Sequence, residues 1–178
     1  NFLIGPGAGL NTKILDITCF ALKKIKFVTL DGDALSVFKN KQRRLFLVLN
    51  KNKILTPHEG EFKNIFPKIS LKNKITAASL ASKRSNAVIV LKGYNTIIAS
   101  PNGEICINTN STPELATIGS GDVLSGIISS LVGDSKMSSF QAACAGVWLH
   151  SEAANKFGKG LIAEDIIRYI PSALRKIL

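Results

Sequence analysis

The sequence predicts an α/β fold with a mostly parallel central sheet, helices on both of its faces and an antiparallel hairpin at one edge. Short apolar runs, which are typical of strands buried on both faces, alternate with amphipathic stretches of helical period. Turns rich in glycine, proline and polar residues follow these runs, as at the ligand-binding edge of a parallel sheet. The pair Asn102-Gly103 separates the last two runs and is a favoured hairpin turn.

The strands are predicted from apolar runs that turn residues bound on either side. They cover residues 2–4, 27–30, 53–55, 87–91, 96–99 and 104–107. The first run meets the turn Gly5-Pro6-Gly7-Ala8-Gly9, and Thr56-Pro57 stops the third. Residues 45–49 fit either a strand or the end of a helix.

The helices are predicted from apolar periodicity and from capping residues. Asn11 is a suitable N-cap for the first helix, which places Ile14 and Leu22 on one face. Further helices are predicted over residues 58–66, 70–85, 123–132, 138–157 and 164–178. Pro171 predicts a kink or a restart in the last of them.

Length and composition predict a single domain over residues 1–178. The apolar fraction is 46%, and no run approaches the roughly 20 apolar residues of a membrane span, so we expect no membrane partner. The three cysteines lie far apart in apolar settings, which favours reduced thiols and a cytoplasmic location. Because residues 1–5 read as the middle of a strand, we expect the domain to lack its N-terminal portion.

The chain is basic, with 23 Lys and Arg against 12 Asp and Glu, a net charge of +11. Such a charge is compatible with a nucleic-acid partner. The lysines are spread along the chain, however, and the arginines do not alternate with aromatic residues. We therefore interpret the charge as general surface character and expect no nucleic-acid site.

The segment Gly119-Ser120-Gly121-Asp122 carries the strongest chemical signal. Its glycines allow several backbone N–H groups to point one way, at the start of an apolar helix whose dipole is positive there. The segment therefore predicts an anion site, most simply for phosphate. Asp122 lies where a carboxylate could take a proton from a hydroxyl group that is about to be phosphorylated. It fits the N-cap of the helix equally well.

Other strand ends carry further candidates, and each has a plainer structural alternative. The turn at residues 5–9 precedes a helix, as phosphate-binding turns do, but is as often a simple tight turn. Asp31 and Asp33 lie where open α/β sheets place their ligands, but a turn with Asp33 as an N-cap fits them as well. His58 fits a solvent-facing or hydrogen-bonded loop residue better than a catalyst, and no second His or Cys lies at zinc-ligand spacing. His150 fits a packed helix residue.

In this order, the motifs resemble those of ADP-dependent NAD(P)H-hydrate dehydratases, a branch of the ribokinase-like superfamily. The resemblance spans nearly the whole chain and rests on residues 5–9, 31–35, 55–61, 91–96 and 113–126. The last segment is specific, and together with residues 56–58 it separates this branch from sugar kinases. Gly32, Ser36 and Glu59 depart mildly from the family pattern. The resemblance implies a ribokinase-like three-layer α/β/α fold.

The resemblance also implies an activity, the dehydration of hydrated NADH or NADPH with ADP as phosphoryl donor, releasing AMP and phosphate. Asp122 would be the catalytic base and would contact the hydrate together with Gly7 and His58. The residues implied to bind the nucleotide are Lys92, Gly93, Tyr94, Asn95, Thr96 and Gly121, with Gly119 and Ser120 on the moving phosphoryl group. Glu61 would help to position Mg²⁺. The resemblance further implies a homo-oligomer and a fused or separate NAD(P)H-hydrate epimerase.

Two other functions share part of this pattern. A ribokinase-like kinase for a vitamin precursor would share the Gly-Ser-Gly-Asp segment but does not predict residues 56–61. A truncated, non-catalytic remnant would bind nucleotide without turnover.

Overall fold

The computed structural model describes residues 1–134 and 137–176. The strands in this part of the chain are β1 (Phe2–Ile4), β2 (Val28–Leu30), β3 (Lys53–Leu55), β4 (Val88–Leu91), β5 (Thr96–Ala99) and β6 (Ile105–Asn108). The helices are α1 (Thr12–Lys24), α2 (Asp33–Ser36), α3 (Gln42–Phe46), α4 (Glu59–Ile65), α5 (Lys74–Ser85), α6 (Ser120–Asp134), α7 (Ser139–Phe157) and α8 (Ala163–Leu174), with a 3-10 turn at Pro113–Leu115.

The sheet has the predicted topology. Its strands lie in the order β1-β2-β3-β4-β5-β6. The pairs from β1 to β4 are parallel, whereas β5 pairs antiparallel with both β4 and β6. Ile4 is paired with Leu30, and Leu30 with Leu55, so the first three strands end level. The turns after β1 to β4 therefore share one edge of the sheet, which we call the carboxyl edge.

Helices cover both faces of the sheet, which confirms the three-layer prediction. In β4, Ile89 and Leu91 pack with α1 to α5, while Val88 and Val90 pack with α6 and α7. This division follows from the two-residue period of a strand, which sends successive side chains to opposite faces. Helix α8 packs against α6 and α7. No helix within residues 1–134 and 137–176 is long and apolar enough to cross a membrane.

Several predicted boundaries are wrong in detail. Helix α6 begins at Ser120 rather than Val123, because the Gly-Ser-Gly segment continues into the helix despite its weak helix propensity. Helix α5 begins at Lys74 rather than at residue 70, with Asn73 as its N-cap. For residues 45–49, by contrast, one of the two alternatives is confirmed, because they hold the end of helix α3 and no strand. Pro171 lies inside α8, and the last two residues of the predicted final helix lie outside the described residues.

Candidate active site

The turns that follow β1 and β2 contact each other at the carboxyl edge. A Cβ atom at Gly5 would lie 1.7 Å from the carbonyl oxygen of Asp31, so only glycine allows this close approach. The backbone N–H of Gly9 donates a hydrogen bond to Asp33 Oδ2 at 2.8 Å. Asp33 therefore holds the glycine turn of residues 5–9, and the N-cap position of α2 falls to Gly32 instead.

Helix α6 brings the Gly-Ser-Gly segment to the same edge. The side chain of Asn1, at the start of β1, donates a hydrogen bond to the carbonyl of Ser129, far along α6. The helix therefore runs antiparallel to β1, and its N-terminus lies at the carboxyl edge. Ser120 begins the helix, so Asp122 belongs to its first turn. The alternative that Asp122 is the N-cap is wrong, because Gly119 occupies that position.

The backbone of this segment forms an anion-binding turn. Gly119 has a φ of +83°, which favours glycine, and its carbonyl accepts the first helical hydrogen bond from the N–H of Val123 at 3.1 Å. The N–H of Ser120 donates to the carbonyl of Thr117 at 3.3 Å. The N–H groups of Gly121 and Asp122 have no intrahelical acceptor in a first turn. They provide donors for an anion at the positive end of the helix.

His150 on α7 holds this turn in place through contacts with Ser120. Its Nε2 lies 2.9 Å from the carbonyl oxygen of Ser120 and 3.1 Å from the Ser120 hydroxyl oxygen. A carbonyl only accepts, so Nε2 carries the proton and donates it. Burial lowers the pKa of His150 to about 4, so that the ring is neutral at pH 7. The expectation of a packed helix residue is confirmed, and the structure adds that this residue orients the turn.

A cavity of about 300 Å³ opens beside the turn. Part of the lining comes from the β4–β5 connection, and part from the segment around the 3-10 turn. The lining residues are Lys92, Gly93, Tyr94, Thr96, Ser111, Thr112, Pro113, Leu115, Ala116, Ser120, Gly121, Leu124, Val147, His150 and Ser151. A mostly apolar cleft with a few polar groups is typical of a small-molecule site.

The predicted nucleotide-binding residues largely line this cavity. Lys92, Gly93, Tyr94, Thr96 and Gly121 contribute to the lining, whereas Asn95 lies exposed beside them in the loop. The Thr96 hydroxyl donates to the carbonyl of Gly93 at 3.0 Å, which closes the loop into a compact turn.

Lys92 connects the cavity with the ends of two other strands. Its ammonium Nζ donates to Asp31 Oδ1 at 2.6 Å and lies 4.0 Å from Glu61 Oε2. The same Nζ is 3.4 Å from the position that a Cβ atom would take at Gly121. The lysine therefore brings a positive charge to the anion-binding turn.

Glu61 and His58 form a capping box at the start of α4. The His58 N–H donates to Glu61 Oε2 at 2.9 Å, and the Gly60 N–H donates to His58 Nδ1 at 3.0 Å. Burial raises the pKa of Glu61. These contacts do not fit the predicted role of Glu61 as a magnesium ligand. One of its carboxylate oxygens accepts the backbone N–H of His58, and both oxygens lie near cationic or N–H groups. Among the described residues, no group of three or more His, Cys, Asp or Glu side chains could hold a metal ion.

The predicted hydrate-binding residues do not line the cavity, although Gly7 and His58 follow strands that end at the carboxyl edge and Asp122 lies in the first turn of α6. Gly7 is exposed in the turn after β1, and the side chain of His58 is 61% exposed. Asp122 is exposed at the edge of a second opening of about 610 Å³, the α6–α8 groove. The other residues lining this groove are Val123, Gly126, Ile127, Ser130, Leu131, Leu149, Ile167, Ile170 and Leu174.

Three parts of the site were missed by sequence reasoning. These are the hydrogen bond of His150, the tether between Asp31 and Lys92, and the wall formed by residues 111–116. The first two are contacts between residues far apart in sequence, and no local pattern encodes such a pair. The polar loop before the turn was the only available signal for the wall.

The parallel strands, the carboxyl-edge turns and the anion-binding start of α6 beside a cavity define an α/β protein of the ribokinase-like class. The sequence profile of a family described as NAD(P)H-hydrate dehydratase matches residues 1–172. The chain therefore belongs to the NAD(P)H-hydrate dehydratase family.

Individual relatives agree with this assignment. An ADP-dependent (S)-NAD(P)H-hydrate dehydratase from Neisseria meningitidis serogroup B is 38% identical over 180 residues, covering 92% of this chain and 55% of that protein. A bifunctional NAD(P)H-hydrate repair enzyme from Thermosynechococcus vestitus is 34% identical over 182 residues, covering 98% of this chain and 35% of that protein. The chain thus spans about half the length of the first relative and about a third of the second.

A solved structure has the same fold. The ADP/ATP-dependent NAD(P)H-hydrate dehydratase from Bacillus subtilis, co-crystallised with ATP and Mg²⁺ and soaked with CoA, matches with a TM-score of 0.84. The sequence identity is 26%, and the match covers 99% of this chain and 66% of that chain. The family match thus places the chain with the predicted family rather than with the vitamin-precursor kinases.

Proposed function

We propose that the chain carries out the ADP-dependent dehydration of hydrated NADH or NADPH. The observation that carries this proposal is the junction of two neighbouring residues at the start of α6. Gly121 lines the cavity, and Asp122 presents an exposed carboxylate one residue further on. A diphosphate in the cavity would bring its terminal phosphoryl group to this carboxylate. The relative from Neisseria is an ADP-dependent (S)-NAD(P)H-hydrate dehydratase, which supports the choice of ADP and of the hydrated cofactor as the two substrates.

In this proposal, Asp122 takes the proton from the ring hydroxyl of the hydrate while that oxygen attacks the β-phosphorus of ADP. The bond from this phosphorus to the bridging oxygen breaks, and AMP leaves. The lone pair of the ring nitrogen then expels phosphate, a far better leaving group than hydroxide, which leaves an iminium ion. Loss of a proton from the neighbouring ring carbon to water restores the double bond of the reduced nicotinamide. The N–H groups at the start of α6 stabilise the charge on the phosphoryl group as it moves.

The other substrate contacts are proposals of the same kind. Lys92, Tyr94 and Thr96 would hold the nucleotide, and Gly7 and His58 would contact the hydrate from the turns after β1 and β3. Since Glu61 does not fit a metal ligand, Mg²⁺ would be held by the phosphates of the nucleotide and by water, as is usual for this ion. It would supply charge neutralisation there. The homo-oligomer, the epimerase partner and the cytoplasmic location stay predictions.

The experiment that tests this function is a product analysis. The chain is incubated with hydrated NADH, ADP and Mg²⁺, and NADH, AMP and phosphate are quantified. We expect the three products in equal amounts and no reaction without ADP. A stable phosphorylated product without NADH would indicate a kinase, and nucleotide binding without any product would indicate a non-catalytic remnant.

A further inference from the structure

The cluster of Asp31, Lys92 and Glu61 needs an explanation, because two carboxylates lie next to a turn shaped for an anion. Asp31 is 1% exposed and Glu61 is 6% exposed. Within residues 1–134 and 137–176, Asp31 Oδ2 has no hydrogen-bond partner. Buried carboxylates near a phosphate site oppose binding through like-charge repulsion. Their presence is reasonable only if they hold a cation that the site uses.

Lys92 is that cation, and its contacts are unequal. Asp31 Oδ1 receives the ammonium at 2.6 Å and also accepts the N–H of Gly32 at 2.9 Å. Glu61 Oε2 is 4.0 Å from the same ammonium and is held in place by the backbone of His58. Asp31 is therefore the close tether, and Glu61 limits where the ammonium can lie.

The location of the ammonium links this cluster to the nucleotide site. Its distance of 3.4 Å from the Cβ position at Gly121 places it beside the exposed N–H donors of α6. The lysine side chain is 19% exposed, which leaves its charge accessible from the cavity. A phosphoryl group bound at the turn would therefore meet the backbone donors and the ammonium together.

We propose that Asp31 and Glu61 are positioning residues, which hold the Lys92 ammonium beside Gly121 for the terminal phosphoryl group of a nucleoside diphosphate. This inference rests on the proposed function, because it assumes that the cavity binds ADP. It gives Glu61 a role different from magnesium binding. It also assigns a function to Asp31, which neither touches the nucleotide nor takes part in proton transfer.

A double-mutant cycle on ADP affinity tests the tether. Calorimetric titrations with ADP compare wild type, Asp31→Asn, Lys92→Met and the double variant. Removing Lys92 alone leaves an unpaired buried carboxylate facing the phosphate, whereas the double variant does not. We expect the Lys92→Met change to weaken ADP binding about tenfold more in wild type than in the Asp31→Asn background. Equal losses in both backgrounds, within about twofold, would overturn the tether.

The exposed pair of Asp16 and Arg44 provides a matched control. Its N···O distance is also 2.6 Å, but the two side chains are 58% and 49% exposed. We expect Asp16→Asn to leave the ADP cost of Lys92→Met unchanged. If Asp16→Asn reduced the ADP cost of Lys92→Met as much as Asp31→Asn does, the loss of any carboxylate would produce the coupling. That result would overturn the specific role of Asp31. A wild type that does not bind ADP would overturn the proposed function and this inference with it.

Two further measurements test the proposal without Lys92→Met, in case that variant fails to fold. In the first, competitive acetylation of all lysines is read by mass spectrometry in wild type and Asp31→Asn. We expect the Lys92 rate to rise about tenfold relative to the other lysines when the tether is lost, and an unchanged rate would overturn it. In the second, Glu61→Gln is titrated with ADP at several Mg²⁺ concentrations. We expect the ADP affinity of Glu61→Gln to depend on the Mg²⁺ concentration as it does in wild type. A need for higher Mg²⁺ concentrations in the variant would show that Glu61 is a metal ligand.

Discussion

Substitution of Gly121 by alanine separates helix stability from nucleotide binding. The added Cβ would lie 3.4 Å from Lys92 Nζ, which is ordinary van der Waals contact, so the protein itself accommodates the methyl group. Alanine also favours helix over glycine by up to about 1 kcal/mol. We therefore expect Gly121→Ala to be neutral or slightly stabilising, with a rise in Tm of up to about 4 °C.

The same methyl group should weaken ADP binding, because it occupies the side of the turn where a phosphate approaches the backbone. Loss of one hydrogen bond to a charged group costs about 1.5–3 kcal/mol. This corresponds to about a 10- to 100-fold increase in the Kd of ADP. The assay is a calorimetric titration of wild type and variant with ADP, combined with thermal unfolding of both proteins.

Gly126→Ala is the matched control for this prediction. Gly126 lies in the same helix, a Cβ atom there would have no neighbour within 4 Å, and it is not part of the cavity. We expect this variant to gain stability of the same sign and to keep the wild-type affinity for ADP. Wild-type affinity in Gly121→Ala, or an equal loss in Gly126→Ala, would refute the assignment of the phosphate site to this turn.

Three further predictions concern other parts of the molecule. The pKa of His150 is about 4 in the fold, below the 6.5 of a free side chain, so its contribution to stability is full above pH 6.5 and is lost as the pH falls toward 4. The loss amounts to about 3 kcal/mol, and urea unfolding of wild type and His150→Gln should show a steeper pH dependence in wild type. Gly146→Ala should lower the free energy of unfolding, measured with urea, by about 1–3 kcal/mol. The reason is that the added Cβ would lie 2.6 Å from Ile128 Cγ1. A variant as stable as wild type would contradict the close packing of α7 on α6. The charge of +11 should give only weak binding to duplex DNA or RNA, and tight binding that falls steeply with salt would show a nucleic-acid site.

The topology was predictable because it follows from periodicity and local turn chemistry. The continuous apolar run of β4, the Asn102-Gly103 turn and the capping residue Asn11 each act within a few residues. The start of α6 was predicted too late, since Gly119 and Gly121 are poor helix formers and the first helical hydrogen bond, from Val123 to Gly119, is seen only in the structure. The predicted N-cap role of Asp122 was wrong for the same reason.

The candidate site was predictable in its residues but not in its connections. The strand-end positions of Asp31, His58 and Lys92 follow from the sheet order, which the sequence indicates. The ion pair between Asp31 and Lys92 joins residues 61 positions apart, and the hydrogen bond of His150 spans 30 positions. Such contacts depend on side-chain packing in three dimensions. The predicted metal role of Glu61 did not consider that one of its oxygens accepts the backbone N–H of His58 in the capping box of α4.

Replacement of Asp122 by asparagine tests the central claim most directly. Asn is nearly isosteric, and the side chain is exposed, so we expect Tm and the Kd of ADP to stay close to wild type. Loss of a positioned general base should slow the ADP-dependent return of the reduced-nicotinamide absorbance by about 10²–10⁴-fold. Turnover within about tenfold of wild type, a smaller loss than a positioned base would cause, would contradict the account. It would leave Asp122 as a residue of the first helical turn with no part in proton transfer.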